Sequence, residues 1–222
     1  MSKTFNLGTS PTIGTHILPG EPLINISQRL NRKIKLTIST CDKIVEGVKN
    51  KEFDLGLIES PIFDDALVYK EWMEDELVVC SKVPLEESLG EEELSHCKLL
   101  CRDIDSPTRV FITNFFKKVG LSYGTFDSLF QVDNATSAIQ GIKWSRPNSD
   151  HPTITIVSHL AIEDELDKEV LYESRIENKP MYRKFYLIYD KECEDDSYVE
   201  DIISYLQESQ KNVSASHHPE SV

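Results

Sequence analysis

Five segments of the sequence place small hydroxyl residues directly before a stretch of helical periodicity. They are Thr9-Ser10-Pro11-Thr12, Ser39-Thr40, Ser106-Pro107-Thr108, Asn134-Ala135-Thr136-Ser137 and Ser158-His159. Hydroxyl groups and the unbonded N–H groups of a helix's first turn together favour a carboxylate, sulfate or phosphate. The same residue types also cap helices with no ligand involved. Each segment alone leaves both readings open, and a shared cleft for a small anion requires the five to converge. Arg109, just after Ser-Pro-Thr, could grip a ligand carboxylate with its fork or pair with a neighbouring acid. Glu59, in Glu59-Ser60-Pro61, could cap a turn or meet a ligand amine. His16 and His159 titrate near neutrality but stand alone in sequence, which also suits a structural histidine.

Patterns that would announce catalysis are missing. The chain has no Gly-x-Ser-x-Gly, His-Glu-x-x-His, Walker-type phosphate loop or Gly-x-Gly-x-x-Gly. No catalytic residue and no cofactor is therefore expected. His96, Cys97 and Cys101 cluster, but a second ligand pair at zinc-finger spacing is lacking, so no metal site is expected. The five cysteines are odd in number and no apolar signal segment opens the chain, which reads as reduced thiols in the cytoplasm.

The elements that would carry the hydroxyl segments follow from periodicity. Residues 5–10 read as a strand, and 34–38 (Ile-Lys-Leu-Thr-Ile) alternate as a strand does. A helix starts near Cys41-Asp42 with Ile44, Val45 and Val48 as its apolar stripe, and 53–58 form a third strand. Between the first two strands, loosely helical spacing from Ile17 to Leu30 is interrupted by Pro19 and Pro22. Strand and helix thus alternate, which implies a parallel sheet. Residues 67–69 and 76–80 read as two further strands, 84–94 as an acidic surface helix with its lead-in, and 98–101 as a strand. A helix carries Val110, Phe111, Phe115, Phe116 and Val119 and stops at Gly120. Strands at 126–132, 154–157 and 182–189 and helices at 135–142, 160–166 and 199–207 follow, with a polar tail from Lys211 expected to fray. The second half repeats the first in outline, so two α/β lobes are expected.

Composition narrows the classes. The 222 residues are 39% hydrophobic and carry 24 Lys+Arg against 38 Asp+Glu, a net charge of −14. That suits a globular domain with a real core. It opposes a phosphate-gripping face, so the chain is not expected to hold DNA by itself. The acidic runs at 86–87, 91–93 and 194–196 read as solvated faces. No apolar run is long enough to span a membrane.

The segment Leu7-Gly8-Thr9-Ser10-Pro11-Thr12-Ile13-Gly14 resembles the start of the effector-binding domain of LysR-type transcriptional regulators. The similarity continues through Ile34–Ile38, Ile44–Val48 and Glu52-Phe53-Asp54-Leu55-Gly56-Leu57-Ile58-Glu59-Ser60-Pro61. It goes on through Trp72–Val79, Ser106–Arg109 with Phe115, Phe116 and Gly120, and Leu160–Leu166. It covers nearly the whole chain and is most specific in residues 7–80. It implies a two-lobed fold like type 2 periplasmic binding proteins, with two crossing hinge strands near 76–82 and 182–189. Lobe one would hold residues 1–81 and 188–222, and lobe two 82–187. A small anionic metabolite or inorganic anion would bind between them, lined by Thr9, Ser10, Thr12, Ser39, Thr40 and Glu59 from lobe one and by Ser106, Thr108, Thr136 and Ser158 from lobe two. The resemblance also implies a homodimer or tetramer, with DNA reached only through an N-terminal winged helix-turn-helix that this sequence lacks. Lys143-Trp144-Ser145-Arg146-Pro147-Asn148-Ser149-Asp150 replaces a segment the family often makes glycine-rich. A prephenate dehydratase-like enzyme, faintly echoed in Thr108-Arg109, and a periplasmic solute-binding protein are the rival readings.

Overall fold

The computed structural model describes residues 4–193 and 197–216. The acidic run at 194–196 and the tail from 217 lie outside the described residues. In chain order the elements are β1 (Phe5–Thr9), a π-helical turn (Ile13–Ile17), α1 (Glu21–Leu30), β2 (Ile34–Ile38), α2 (Cys41–Lys49), β3 (Leu55–Ile58) and β4 (Leu67–Ser81). Then come β5 (Ser88–Leu89), α3 (Glu91–Ser95), β6 (Lys98–Arg102), α4 (Pro107–Val119), β7 (Ser128–Val132) and α5 (Ala135–Trp144). The chain continues with β8 (Thr153–Ser158), α6 (Glu163–Asp167), β9 (Tyr172–Ile176), β10 (Met181–Asp190) and α7 (Ser197–Ser216). Two compact units result, Met1–Glu74 with Lys184–Val222, and Asp75–Arg183. β4 and β10 are the strands that pass from one unit into the other.

In unit 1, β1 lies between β2 and β3 and pairs with both in parallel, and β10 adds antiparallel to β3. The chain leaves β1 through α1 to one side and returns through α2 to the other, so the direction of winding reverses at β1's carboxyl end. Ligands favour such switch points in open α/β sheets. Cys41, Ile44, Val45 and Val48 of α2 pack with Ile58, Leu67 and Ile188 into one apolar cluster. The helical stripe at i, i+3, i+4 and i+7 is what lets α2 do this. α1 enters through Gly20 and carries Pro22 in its first turn, so the prolines mark its start rather than break it. It meets α7, where Asn25 donates to Tyr205 Oη at 3.1 Å and the Arg29 guanidinium lies 4.7 Å from the Tyr205 ring centre.

Unit 2 repeats the logic. β6 is flanked in parallel by β7 and β8, and β4 runs antiparallel to both β8 and β9. α4 buries Thr108, Ile112 and Phe116, spaced four apart on one face, and ends at Gly120 with φ 82°, a left-handed stop that glycine takes without steric cost. Phe116 sits among Leu77, Leu99, Phe126, Ile154 and Ile156. On the other face of the sheet, Ile139 and Ile142 of α5 pack with Val78, Cys80, Val157 and Ile162.

Several elements differ from the sequence reading. Residues 67–69 and 76–80 belong to one 15-residue strand, because the charged stretch between them stays extended with Trp72 and Asp75 buried. β9 and β5, unread in the sequence, pair with each other in parallel. α7 runs to Ser216, so the start of the tail expected to fray is helical. The units divide at 74/75 and 183/184 rather than at 81/82 and 187/188.

Candidate functional site

The carboxyl ends of β1, β2 and β3 are tied together by backbone bonds. Ser39 N–H donates to the Thr9 carbonyl at 3.0 Å, and Ser10 N–H donates to the Leu57 carbonyl at 2.9 Å. This brings Thr9, Ser10, Ser39 and the end of β3, where Glu59 follows, to one edge of unit 1. Pro11 and Thr12 then turn into the π-helical segment, and Gly14 N–H donates to the Ser10 carbonyl at 2.9 Å. His16 lies in the last turn of that segment. π-helical turns are rare and concentrate at functional sites. Gly14 sits so close to β1 that a Cβ there would lie 2.1 Å from Thr9 Oγ1 and 2.7 Å from Ile38 Cγ1. Only glycine lets the turn lie on the strand ends.

Thr9 and Ser10 are both 0% exposed, and neither hydroxyl oxygen finds a hydrogen-bond partner among the described residues. A buried hydroxyl left unsatisfied costs about 1–3 kcal/mol. The two stand side by side at a strand end. Thr12, two residues on, and Glu59, just past the end of β3, are also buried. Thr40 is different: it is exposed, and its hydroxyl, with the N–H groups of Asp42 and Lys43, bonds the Asp42 carboxyl and holds it below the usual carboxylate range. The first turn of α2 thus carries its own anion, Asp42, and the Thr40 side chain makes no cap bond to the helix.

In unit 2 the residues divide similarly. Ser106 Oγ accepts Arg109 N–H at 3.0 Å and is the N-cap of α4. Asn134 Oδ1 caps α5 by accepting Ser137 N–H at 2.7 Å, leaving Thr136 exposed in the first turn. Thr108 and Ser158 belong to a buried relay. Ser158 Oγ donates to Asp75 Oδ1 at 2.5 Å, Arg183 Nε donates to Asp75 Oδ2 at 2.7 Å, and Arg183 Nη1 donates to Thr108 Oγ1 at 3.2 Å. The side chains of Arg183 and Asp75 are 6% and 0% exposed. Sequence reading missed both. The signal was the alternation of β10, which puts Arg183 on the buried face with Met181 and Phe185. A charged residue at an inward strand position needs a partner.

Arg109 meets a ring and a carbonyl of its own unit. Its guanidinium lies 3.4 Å from the Tyr123 ring centre and donates to the Arg102 carbonyl at 3.1 Å. His159 pairs with Glu173 at 2.7 Å, which holds its pKa above the ordinary histidine value. Burial pushes the Cys80 thiol up to about 12 and the Cys97 thiol up to about 11. Cys97 directly precedes β6 and Cys101 lies within it, and four extended residues span about 13 Å, beyond the reach of a disulfide. Among the described residues no group of three or more His, Cys, Asp or Glu is placed to hold a metal ion. None of the described helices is long and apolar enough to cross a membrane.

Two repeated α/β units wound around central strands, with the strand-end hydroxyls buried, define a class of ligand-binding domain. The family model described as the LysR substrate binding domain matches residues 1–211, and the chain belongs to that family. An uncharacterized HTH-type transcriptional regulator of Staphylococcus xylosus is 27% identical over 206 residues, covering 92% of this chain and 68% of the relative. A probable RuBisCO transcriptional regulator of Synechocystis is 27% identical over 188 residues, covering 81% of this chain and 52% of the relative. The chain thus spans roughly half to two thirds of its curated relatives' length. Among solved structures, the regulatory domain of Synechocystis CcmR in complex with 2-PG superposes with TM-score 0.74 at 19% identity, covering 94% of this chain and 98% of that one. The effector-binding domain of QuiR in complex with shikimate gives 0.71 at 16% identity, covering 96% and 99%. These likenesses establish the fold as that of LysR regulatory domains, the type 2 periplasmic-binding-protein-like class.

Proposed function

We propose that the chain is the sensing domain of a LysR-type transcriptional regulator and that it binds a small organic or inorganic anion without transforming it. The observation that carries this reading is the pair of buried, partnerless hydroxyls at Thr9 and Ser10, on the strand where the sheet reverses direction. Thr12, Ser39, Thr40 and Glu59 belong to the same effector set in unit 1, and Ser106, Thr108, Thr136 and Ser158 to the set in unit 2. The relatives are named transcriptional regulators, and two fold neighbours are described with small ligands, 2-PG and shikimate. The domain would work in the cytoplasm as part of a homodimer or tetramer, meeting DNA only through a separate DNA-binding domain. Regulation requires the effector to favour one conformational state, with a coupling of ~1–3 kcal/mol typical of such switches.

A thermal-shift screen of metabolite anions against the purified chain tests the proposal, followed by calorimetry on Thr12→Ala. At least one anion raises the melting temperature of wild type, and Thr12→Ala binds it more weakly while remaining folded. Equal affinity in both proteins removes the site, and a screen in which no anion stabilises the chain removes the function.

A further inference from the structure

His96 opens the cluster with Cys97 and Cys101 that the sequence displays, and the structure parts its members. Cys97 is buried, with its thiol donating to the Glu93 carbonyl at 3.3 Å, and Cys101 lies inside β6. His96 is exposed and meets His151 instead, the ring centres 5.7 Å apart and the planes at 72°. Strand register causes the meeting. Lys98 of β6 faces Thr153 of β8 in parallel pairing, so His96 and His151 each stand two residues before the same rung. Lys98 N–H donates to the Pro152 carbonyl at 2.9 Å, which ties the two lead-in segments together. Pro152 is itself buried and biases His151, before it, away from helical backbone. The two imidazoles are thus brought together by one sheet of unit 2, in a place that sequence spacing alone does not reveal.

Edge-on packing of two rings is one use of such a pair, but both residues are exposed and little apolar area is gained. No ring nitrogen of either histidine makes a hydrogen bond or ion pair with a described residue. The nitrogens are therefore open to an outside partner, and imidazole nitrogen is a common ligand of zinc-type ions. An ion bonded to two such nitrogens at about 2.0–2.1 Å lies about 3.2 Å from each ring centre, and a tetrahedral angle then sets the centres about 5.2 Å apart. The observed 5.7 Å is a small side-chain rotation from that spacing. Two cis ligands of a square-planar ion would bring the centres to about 4.5 Å, a larger rearrangement.

We propose that His96 and His151 form a two-histidine surface site for a divalent ion of the zinc type. The described residues supply no third His, Cys, Asp or Glu to the pair, so water completes the tetrahedron and binding is reversible. The net charge of −14, with Glu91, Glu92 and Glu93 just before His96 in sequence and Asp150 just before His151, raises the local concentration of cations. The site is independent of the anion-sensing function proposed above.

The test is calorimetric titration with Zn2+ alone, on a parent chain and on its His96→Gln and His151→Gln variants. All three proteins carry His217→Gln and His218→Gln, which removes a second histidine pair adjacent in sequence. The parent should bind one Zn2+ per chain, and each variant should bind it at least about tenfold more weakly. Zn2+ should raise the melting temperature of the parent more than that of either variant. Mg2+, which prefers oxygen ligands, should leave the titration unchanged. Affinity equal to the parent's in either variant overturns the paired site, since the ion then rests on one histidine or elsewhere. A parent that binds no Zn2+ overturns it as well. If a variant does not fold, NMR of the parent decides: both imidazoles shifting together with the first equivalent of Zn2+ supports the site, and a shift of one alone overturns it.

Discussion

Asp75 and Arg183 form an ion pair in an almost dry environment, with side-chain exposures of 0% and 6% and a separation of 2.7 Å. Replacing Asp75 by Asn leaves a guanidinium buried without its counter-charge and deprives Ser158 of a charged acceptor. Breaking a buried pair from one side costs about 3–5 kcal/mol, whereas replacing both partners by apolar side chains is often close to neutral. We therefore expect Asp75→Asn and Arg183→Met each to destabilise the chain by about 3–5 kcal/mol. The double variant Asp75→Leu/Arg183→Met should cost at least about 2 kcal/mol less than the sum of Asp75→Leu and Arg183→Met measured alone. Urea denaturation followed by circular dichroism reads all of these, with the slope checked for a change in surface exposed. If either single variant costs under about 1 kcal/mol, or the double equals the sum within about 0.5 kcal/mol, the pair is not the coupled, buried unit described.

Other outcomes follow from the same geometry. Gly14→Ala should lower the melting temperature despite alanine's higher helix propensity, because overpacking against Thr9 and Ile38 costs about 1–3 kcal/mol and the propensity gain is about 1; a rise in melting temperature would contradict the close approach. The His159–Glu173 bond raises the histidine's folded pKa above its unfolded value, so its stabilisation is complete below about 6.5 and fades as pH climbs through the raised value. The stability gap between wild type and His159→Gln should accordingly narrow from pH 6 to pH 9, and a gap that widens refutes the assignment. In the native chain a thiol reagent should reach half-buried Cys193 first, with Cys80 and Cys97 reacting only on unfolding; rapid modification of the latter two would show that β4 or β6 opens readily.

Much of the fold is written in periodicities that the chain does not conceal. β2 spans the five residues whose alternation announces it, although Ile38 at its end is exposed, and α4 kept its N-cap, apolar face and glycine stop, because local pattern and tertiary burial agree along that helix. The failures occur where they conflict. β4 reads as two strands since Lys70, Glu71, Glu74 and Asp75 interrupt its apolar run, yet the backbone continues through them from one unit to the other. β9 hides because Ser174 takes an inward position that an apolar residue would normally mark. Among the site residues, the buried hydroxyls of Thr9 and Ser10 are legible only as residue type. Their lack of partners is a tertiary fact, as are the pairing of Asp75 with Arg183 and the stacking of Arg109 on Tyr123. Ser106 shows the other side, since its hydroxyl caps α4, while the Thr40 hydroxyl bonds the Asp42 carboxyl.

If Thr9 and Ser10 are held ready for a ligand, removing their hydroxyls should help the empty protein and harm binding. Thr9→Val and Ser10→Ala each delete a buried oxygen with no partner, so each should leave the free chain as stable as wild type or more so, by up to about 1–3 kcal/mol. Calorimetric titration of the anion found by thermal shift should show one site per wild-type chain and at least about tenfold weaker binding to both variants. Variants that are destabilised when empty yet bind the anion as tightly as wild type would contradict the account at its centre.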